Sequence, residues 1–226
     1  MRIGRLLRAL RRDTGGLAML ETALVIPFFL LAGLWGVELA NYTVVTMRIN
    51  QLAIHISDNA SRIGESSVLE NKKIFESDIN DLLLGSSIQA GRRLPIYDRG
   101  RVIVSSLEAV PGTTTGEQYI HWQRCMGTKH QGSRYGRVGD VLPVGMGPSG
   151  QEVFADEGDA VIFVEIAYDY DPLVSNQFIG EDTIHAIASF TVRANRDLSR
   201  IYQRDPRRPD TVARCSRYTN DFADAA

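Results

Sequence analysis

The stretch GGLAMLETALVIPFFLLAGLWGVELA, Gly15 to Ala40, constrains this chain most: sixteen residues without a charge separate Glu21 from Glu38. From Leu17 to Ala40 is 24 residues, about 36 Å as an α-helix, which is enough to cross a hydrocarbon core of ~30 Å. The charge is placed to match. Arg2, Arg5, Arg8, Arg11 and Arg12 stand against Asp13, so residues 1–16 carry +4. Removing them leaves 20 basic and 26 acidic residues, or −6 for everything from Leu17 onward. Positive-inside bias holds the arginines in the cytoplasm and sends the remainder across. The whole chain has a net charge of only −2, which gives no footprint for nucleic acid.

Three uses of residues 1–40 compete. A cleavable secretory signal needs small residues three and one positions before its cut, and a cut after Ala40 places Glu38 at the minus-three position. No cysteine follows LLAG, so a lipoprotein site is missing too. A plain anchor fits the length but leaves Glu21 in lipid, where a carboxylate costs upward of ~2.5 kcal/mol. A cut between Gly16 and Leu17 makes Glu21 the fifth residue. The acid and the new amine then lie one helical turn apart and can neutralise each other.

A basic leader ending at Gly16, an acid at Glu21, and an apolar helix carrying Pro27 and Glu38 resemble the TadE family of pseudopilins. That family belongs to the tight-adherence branch of type IV pili. The resemblance is carried by GLAMLE, ETALVIP and GVELA, and more loosely by VEIAYDYDPL followed by SFTVRANRD. It implies cleavage between Gly16 and Leu17 by an integral-membrane prepilin peptidase. It also implies a docking role for Glu21, an assembly role for Glu38, and a helix that loosens at Pro27 on leaving the bilayer. The implied partners are that peptidase, other pseudopilins and the major pilin, the inner-membrane assembly platform, and membrane lipid. The implied location is the bacterial inner membrane, crossed once, with the N-terminus cytoplasmic and the C-terminal domain periplasmic. An uncleaved scaffold of a pilus or secretion apparatus is the alternative, and a membrane-anchored periplasmic enzyme is a third reading.

Beyond the apolar run, Tyr42, Val45, Ile49, Leu52, Ile56 and Ile63 keep a helical stripe, so residues 17–63 read as one rod. Gly64 is a stop, and Ser67 with Glu70 is a capping pattern for a second helix over residues 68–84. From Arg93 the period becomes strand-like, with runs at 99–110, 117–125, 159–172 and 184–196. The expected fold is α+β and pilin-like: a long N-terminal helix packed on an antiparallel sheet of about four strands. The domain order is leader 1–16, membrane helix 17–40, amphipathic region 41–92 and sheet domain 93–226.

Residues 127–158 hold eight of the twenty glycines and read as a long surface loop. Within it GMGPSG, Gly145 to Gly150, spells G-x-G-x-x-G but lacks the strand before and the helix after that a dinucleotide site needs. Cys125 and Cys215 fall in the exported part, where a disulfide is the default. It would close a loop of 89 residues and contribute roughly 2–4 kcal/mol; the alternative is two separate buried thiols. His121, Cys125 and His130 cluster without the spacing of a zinc site. Asp169 and Asp171 lack the EF-hand spacing. Arginines 196, 200, 204, 207, 208, 214 and 217 read as a solvated tail or a surface for an acidic partner. No nucleophile elbow, HExxH or phosphate loop occurs, so the expectation is a binding protein with no cofactor, no metal and no catalysis.

Overall fold

A computed structural model describes residues 15–65, 71–112, 116–179, 183–193 and 195–221. The leader's residues 1–14 and the Ser67–Glu70 capping pattern lie outside these. The chain divides into two compact units, Met1–Thr43 with Pro172–Gly180, and Val44–Asp171 with Glu181–Ala226.

Helix α1 runs from Gly15 to Arg62 without a break, Pro27 included. A proline here removes one backbone bond, and membrane helices tolerate that loss. Thr22 and Thr43 satisfy their hydroxyls on the carbonyls of Ala18 (2.7 Å) and Leu39 (2.8 Å), so neither needs water. In the second unit Ile49, Leu52, Ala53, Ile56 and Ala60 are buried, which is the helical stripe with alanines filling its close approaches. The helix stops at Gly64, whose φ is +113° and whose added Cβ would sit 2.7 Å from the Lys73 carbonyl oxygen. Its last carbonyls find a buried partner. Arg196 donates to Ala60 and Ile63, both at 3.0 Å, placing a cation where the helix dipole is negative.

Helix α2 spans Glu76–Ala90, so its start corrects the expectation of residue 68. Residues before it pair as isolated bridges instead, Lys72 with Arg196 and Phe75 with Tyr202. Phe75 is extended, and the Asp78 carboxylate accepts its N–H at 3.0 Å. The helix passes through Gly85 and buries Ile79, Leu82 and Leu83.

The sheet comprises β1 (Gly100–Ala109), β2 (Gln118–Met126), β3 (Val141–Leu142), β4 (Ala160–Asp169) and β5 (Thr183–Thr191). Their order is β3-β2-β1-β4-β5 and every pairing is antiparallel. The fold is α+β, with five strands among the described residues, one more than expected, because β3 forms inside the glycine-rich segment. Burial of both β1 and β4 along nearly their whole length shows a sheet covered on two faces. On one face, Arg124 of β2 forks onto Glu76 at the start of α2, with Nε to Oε2 at 2.8 Å and the second bond from the terminal nitrogen. Opposite lie Leu107, Ile120, Val161 and Phe163, which pack with Met146 and Ala155. The 127–158 segment is therefore a cover for the sheet rather than a free surface loop. Tyr135 meets Phe163 edge-on at 5.3 Å within it.

Candidate functional site: an apolar helix and its two carboxylates

Over the first half of α1 the large side chains face outward. Met19, Leu20, Leu24, Phe28, Phe29, Leu30 and Trp35 are all more than half exposed. This helix is long and apolar enough to cross a membrane. So large a contiguous apolar surface calls for lipid or another protein as its surroundings.

The features singled out in the sequence are distributed along this rod. Gly16 is exposed, and nothing lies within 4 Å of where its Cβ would be. Glu21 is exposed on the same helix, four positions after Leu17. Glu38 is different. Its relative exposure is 0%, whereas the other described side chains from Gly15 to Ala40 are exposed. Its carboxylate accepts the backbone N–H groups of Leu173 at 3.3 Å and Val174 at 2.6 Å. Glu38 is thus turned to backbone amides of its own chain.

In the second unit Cys125 and Cys215 are bonded to each other. Beside them Arg101, 1% exposed, donates to the carbonyls of Gly127 (2.7 Å), Arg217 (2.7 Å) and Cys215 (2.8 Å). Its guanidinium lies 4.3 Å from the Tyr218 ring centroid. Burial pulls the Arg101 pKa down, opposed by Tyr218. The C-terminal tail is fastened to the sheet by a covalent bond and a buried cation together. The second has no local signal in the sequence, because its acceptors lie 26 to 116 residues along the chain.

The arginine tail is partly internal. Arg196 caps α1 from a buried position, and desolvation brings its pKa down to about 10. Arg204 bridges Glu65 and Asp78 and covers the Phe75 ring at 4.8 Å. Arg200 stacks on Tyr202 at 4.8 Å.

The remaining polar clusters have structural partners. His121 Nδ1 lies 2.9 Å from Glu108 Oε1, and Ser106 and Tyr119 donate to the same carboxylate at 2.9 and 3.2 Å. A bulge between Ser106 and Leu107 in the β1–β2 register brings this group together. His130 stacks on Tyr218 with centroids 4.1 Å apart. Asp169 pairs with Lys129 and Thr183, and Asp171 with Arg99 at 2.9 Å. Gly145 to Gly150 is a turn within an antiparallel bridge of Met146 to Val153, with no helix after it. Among the described residues no three or more His, Cys, Asp or Glu side chains are grouped to hold a metal.

Several cavities open among the described residues of the second unit. One of about 680 Å³ lies between the end of α1 and α2, over Ile56, Ile63 and Leu82, with Asp78, Asp81 and Arg204 at its edge. Two others, of about 180 and 450 Å³, adjoin Arg101 and share Ile103 and Gln131. Compared with known protein families, curated proteins and solved structures, the chain matches none.

Proposed function

We propose that this chain is a TadE-like pseudopilin, a minor subunit of a tight-adherence type IV pilus system. It acts by co-assembly rather than by catalysis. The observation that carries the reading is the placement of Leu17 and Glu21 on one unbroken helix, directly after an exposed Gly16. A cut after Gly16 releases an amine at Leu17 one turn from the Glu21 carboxylate, so the two charges can be matched within a chain or between neighbours. The exposed apolar first half of α1 supports a membrane-held subunit that meets lipid and other helices. A disulfide in the second unit supports placing that unit on the oxidising, periplasmic side, with the arginines of residues 1–16 in the cytoplasm. Partners on this reading are the prepilin peptidase, other pseudopilins and the major pilin, and the inner-membrane platform.

The test is the intact mass and N-terminal sequence of the protein from native membranes, with and without the peptidase. A start at Leu17 that requires the peptidase is the expected result. A chain that still begins at Met1 in the presence of active peptidase overturns processing and favours the uncleaved scaffold.

A further inference from the structure

Glu38 and the connection between β4 and β5 belong to the same compact unit. That connection, Pro172 to Ile179, reads PLVSNQFI and has no charged residue. Its flanks are charged, with Asp169 and Asp171 before it and Glu181 and Asp182 after. It has its own local order: Ser175 Oγ accepts the Gln177 N–H at 3.2 Å and caps a 3₁₀ turn over Asn176–Phe178. Leu173 and Val174, the apolar side chains that follow Pro172, are 66% and 39% exposed, although their backbone N–H groups are both held by Glu38.

The depth of this connection follows from its attachment. Glu38 is two residues, about 3 Å along the axis, inside the end of the apolar run at Ala40. Trp35 and Tyr42 lie about one turn to either side of it, and such aromatics mark the level where hydrocarbon gives way to headgroups. A carboxylate at this level is costly unless it is paired and covered. Two charge-assisted N–H bonds and complete burial meet both conditions.

We infer that Pro172–Ile179 is a second membrane contact, which seats Leu173 and Val174 in the interfacial layer of the bilayer that α1 crosses, and that Glu38 is the residue that positions it. The inference rests on the membrane-spanning reading of α1. It assigns Glu38 a use within its own chain, distinct from an assembly role. A fixed second contact limits rotation of the helix about its axis and tilt at its outer end, because two separate points then meet the same interface.

The experiment uses the full-length chain in phosphatidylcholine–phosphatidylglycerol vesicles whose acyl chains are brominated at either shallow or deep positions. One variant carries Trp35→Phe, Trp122→Phe and Leu173→Trp; a second carries Trp122→Phe alone, leaving Trp35 as the reporter of the helix. Shallow bromines are expected to quench the indole introduced at position 173 at least twofold, and more than deep ones. Adding Glu38→Leu should reduce that quenching at least twofold. Quenching of Trp35 should persist when Glu38→Leu is added to the second variant. Strong quenching of Trp35 with none at position 173 overturns the inference while leaving the membrane helix intact; a protein partner would then be the occupant. Quenching at position 173 that Glu38→Leu does not change overturns the positioning role. Absence of quenching at both sites overturns the membrane-spanning reading itself. Hydrogen exchange in the unsubstituted chain gives a second measure. The Leu173 and Val174 amides should exchange at least tenfold more slowly than in the Glu38→Leu chain, and equal rates overturn the clasp.

Discussion

The Arg101 guanidinium donates to the carbonyl oxygen of Cys215 at 2.8 Å, and the sulfur of that same residue is bonded to Cys125. Two different forces therefore hold one segment of tail. Replacing both cysteines by serine should lower stability by roughly 2–4 kcal/mol, through release of a long loop in the unfolded chain. Arg101→Met strands buried carbonyls at about 1–3 kcal/mol each. Because either change frees the same tail, the combined loss should fall short of the sum. Urea unfolding of the detergent-solubilised chain, singly and in combination, checks this; full additivity would show the two fastenings to be independent.

His121 should titrate above its ordinary 6.5. Its hydrogen bond to Glu108 favours the imidazolium, and partial burial opposes it less strongly. A raised folded pKa means that this pair's stabilisation is complete below pH 6.5 and is lost as pH rises through the folded value. The His121 imidazole resonances report this directly. Glu108→Gln should bring the midpoint back toward 6.5, and a wild-type midpoint at or below 6.5 would contradict the assignment.

The parts of this fold that were legible are those whose cause is local. The β1 and β4 runs alternate or are continuously apolar between turn residues, so their limits are visible in composition. The stripe through Ile49, Leu52 and Ile56 has a helical period and is buried as that period requires. The illegible parts depend on partners far along the chain. Ile74 and Phe75 fit the apolar side of a helix over residues 68–84, yet Phe75 bridges Tyr202, and no period within those residues carries that information. Met146 and Ala155 sit among glycines with no regular spacing, so their role in covering the sheet is not periodic. Glu38 is the clearest case at the site. Its burial depends on backbone amides 135 and 136 residues away, while the residues next to it describe only an acid near the end of an apolar helix.

Glu165 is a buried acid with a raised pKa. Desolvation lifts it, and bonds from Ser133 Oγ (2.5 Å) and the Arg134 N–H (2.8 Å) hold it only partly down. A carboxyl whose folded pKa exceeds its unfolded value binds more protons when folded, so stability falls as pH rises from about 4.5 through the folded pKa. Glu165→Gln keeps an acceptor for Arg134 and can donate to Ser133. It should match or exceed the wild-type midpoint at pH 7 and lose that advantage below pH ~4.5. Thermal melts at both pH values decide it, and a large loss at pH 7 would mean that the charge itself is needed.

Met146 is 0% exposed and packs with Leu107, Ile120 and Phe163. Met146→Ala should therefore cost about 2–5 kcal/mol, the range for deleting a buried long side chain. Val144, 68% exposed two residues earlier, is the internal comparison, and Val144→Ala should change stability by less than ~0.5 kcal/mol. Equal small effects at both positions would return this segment to the status of a loose loop.

Glu21 is exposed on the apolar half of α1, and no described side chain covers it. Its separation from Glu38 is chemical as well as spatial, since one acid is turned inward and the other outward. On the pseudopilin reading the outward acid meets the amine at Leu17, its own or a neighbour's, and helps to seat the subunit among others. Glu21→Ala removes a charge from lipid, so insertion should be unchanged or slightly improved, by an amount in line with the ~2.5 kcal/mol a buried carboxylate costs. Co-purification with other pilus subunits should nevertheless fall several-fold, and pilus formation with it. Carbonate extraction measures the insertion, and affinity capture from cross-linked membranes measures the assembly. Normal insertion together with normal assembly in Glu21→Ala would leave the acid without a function and count against the pseudopilin assignment.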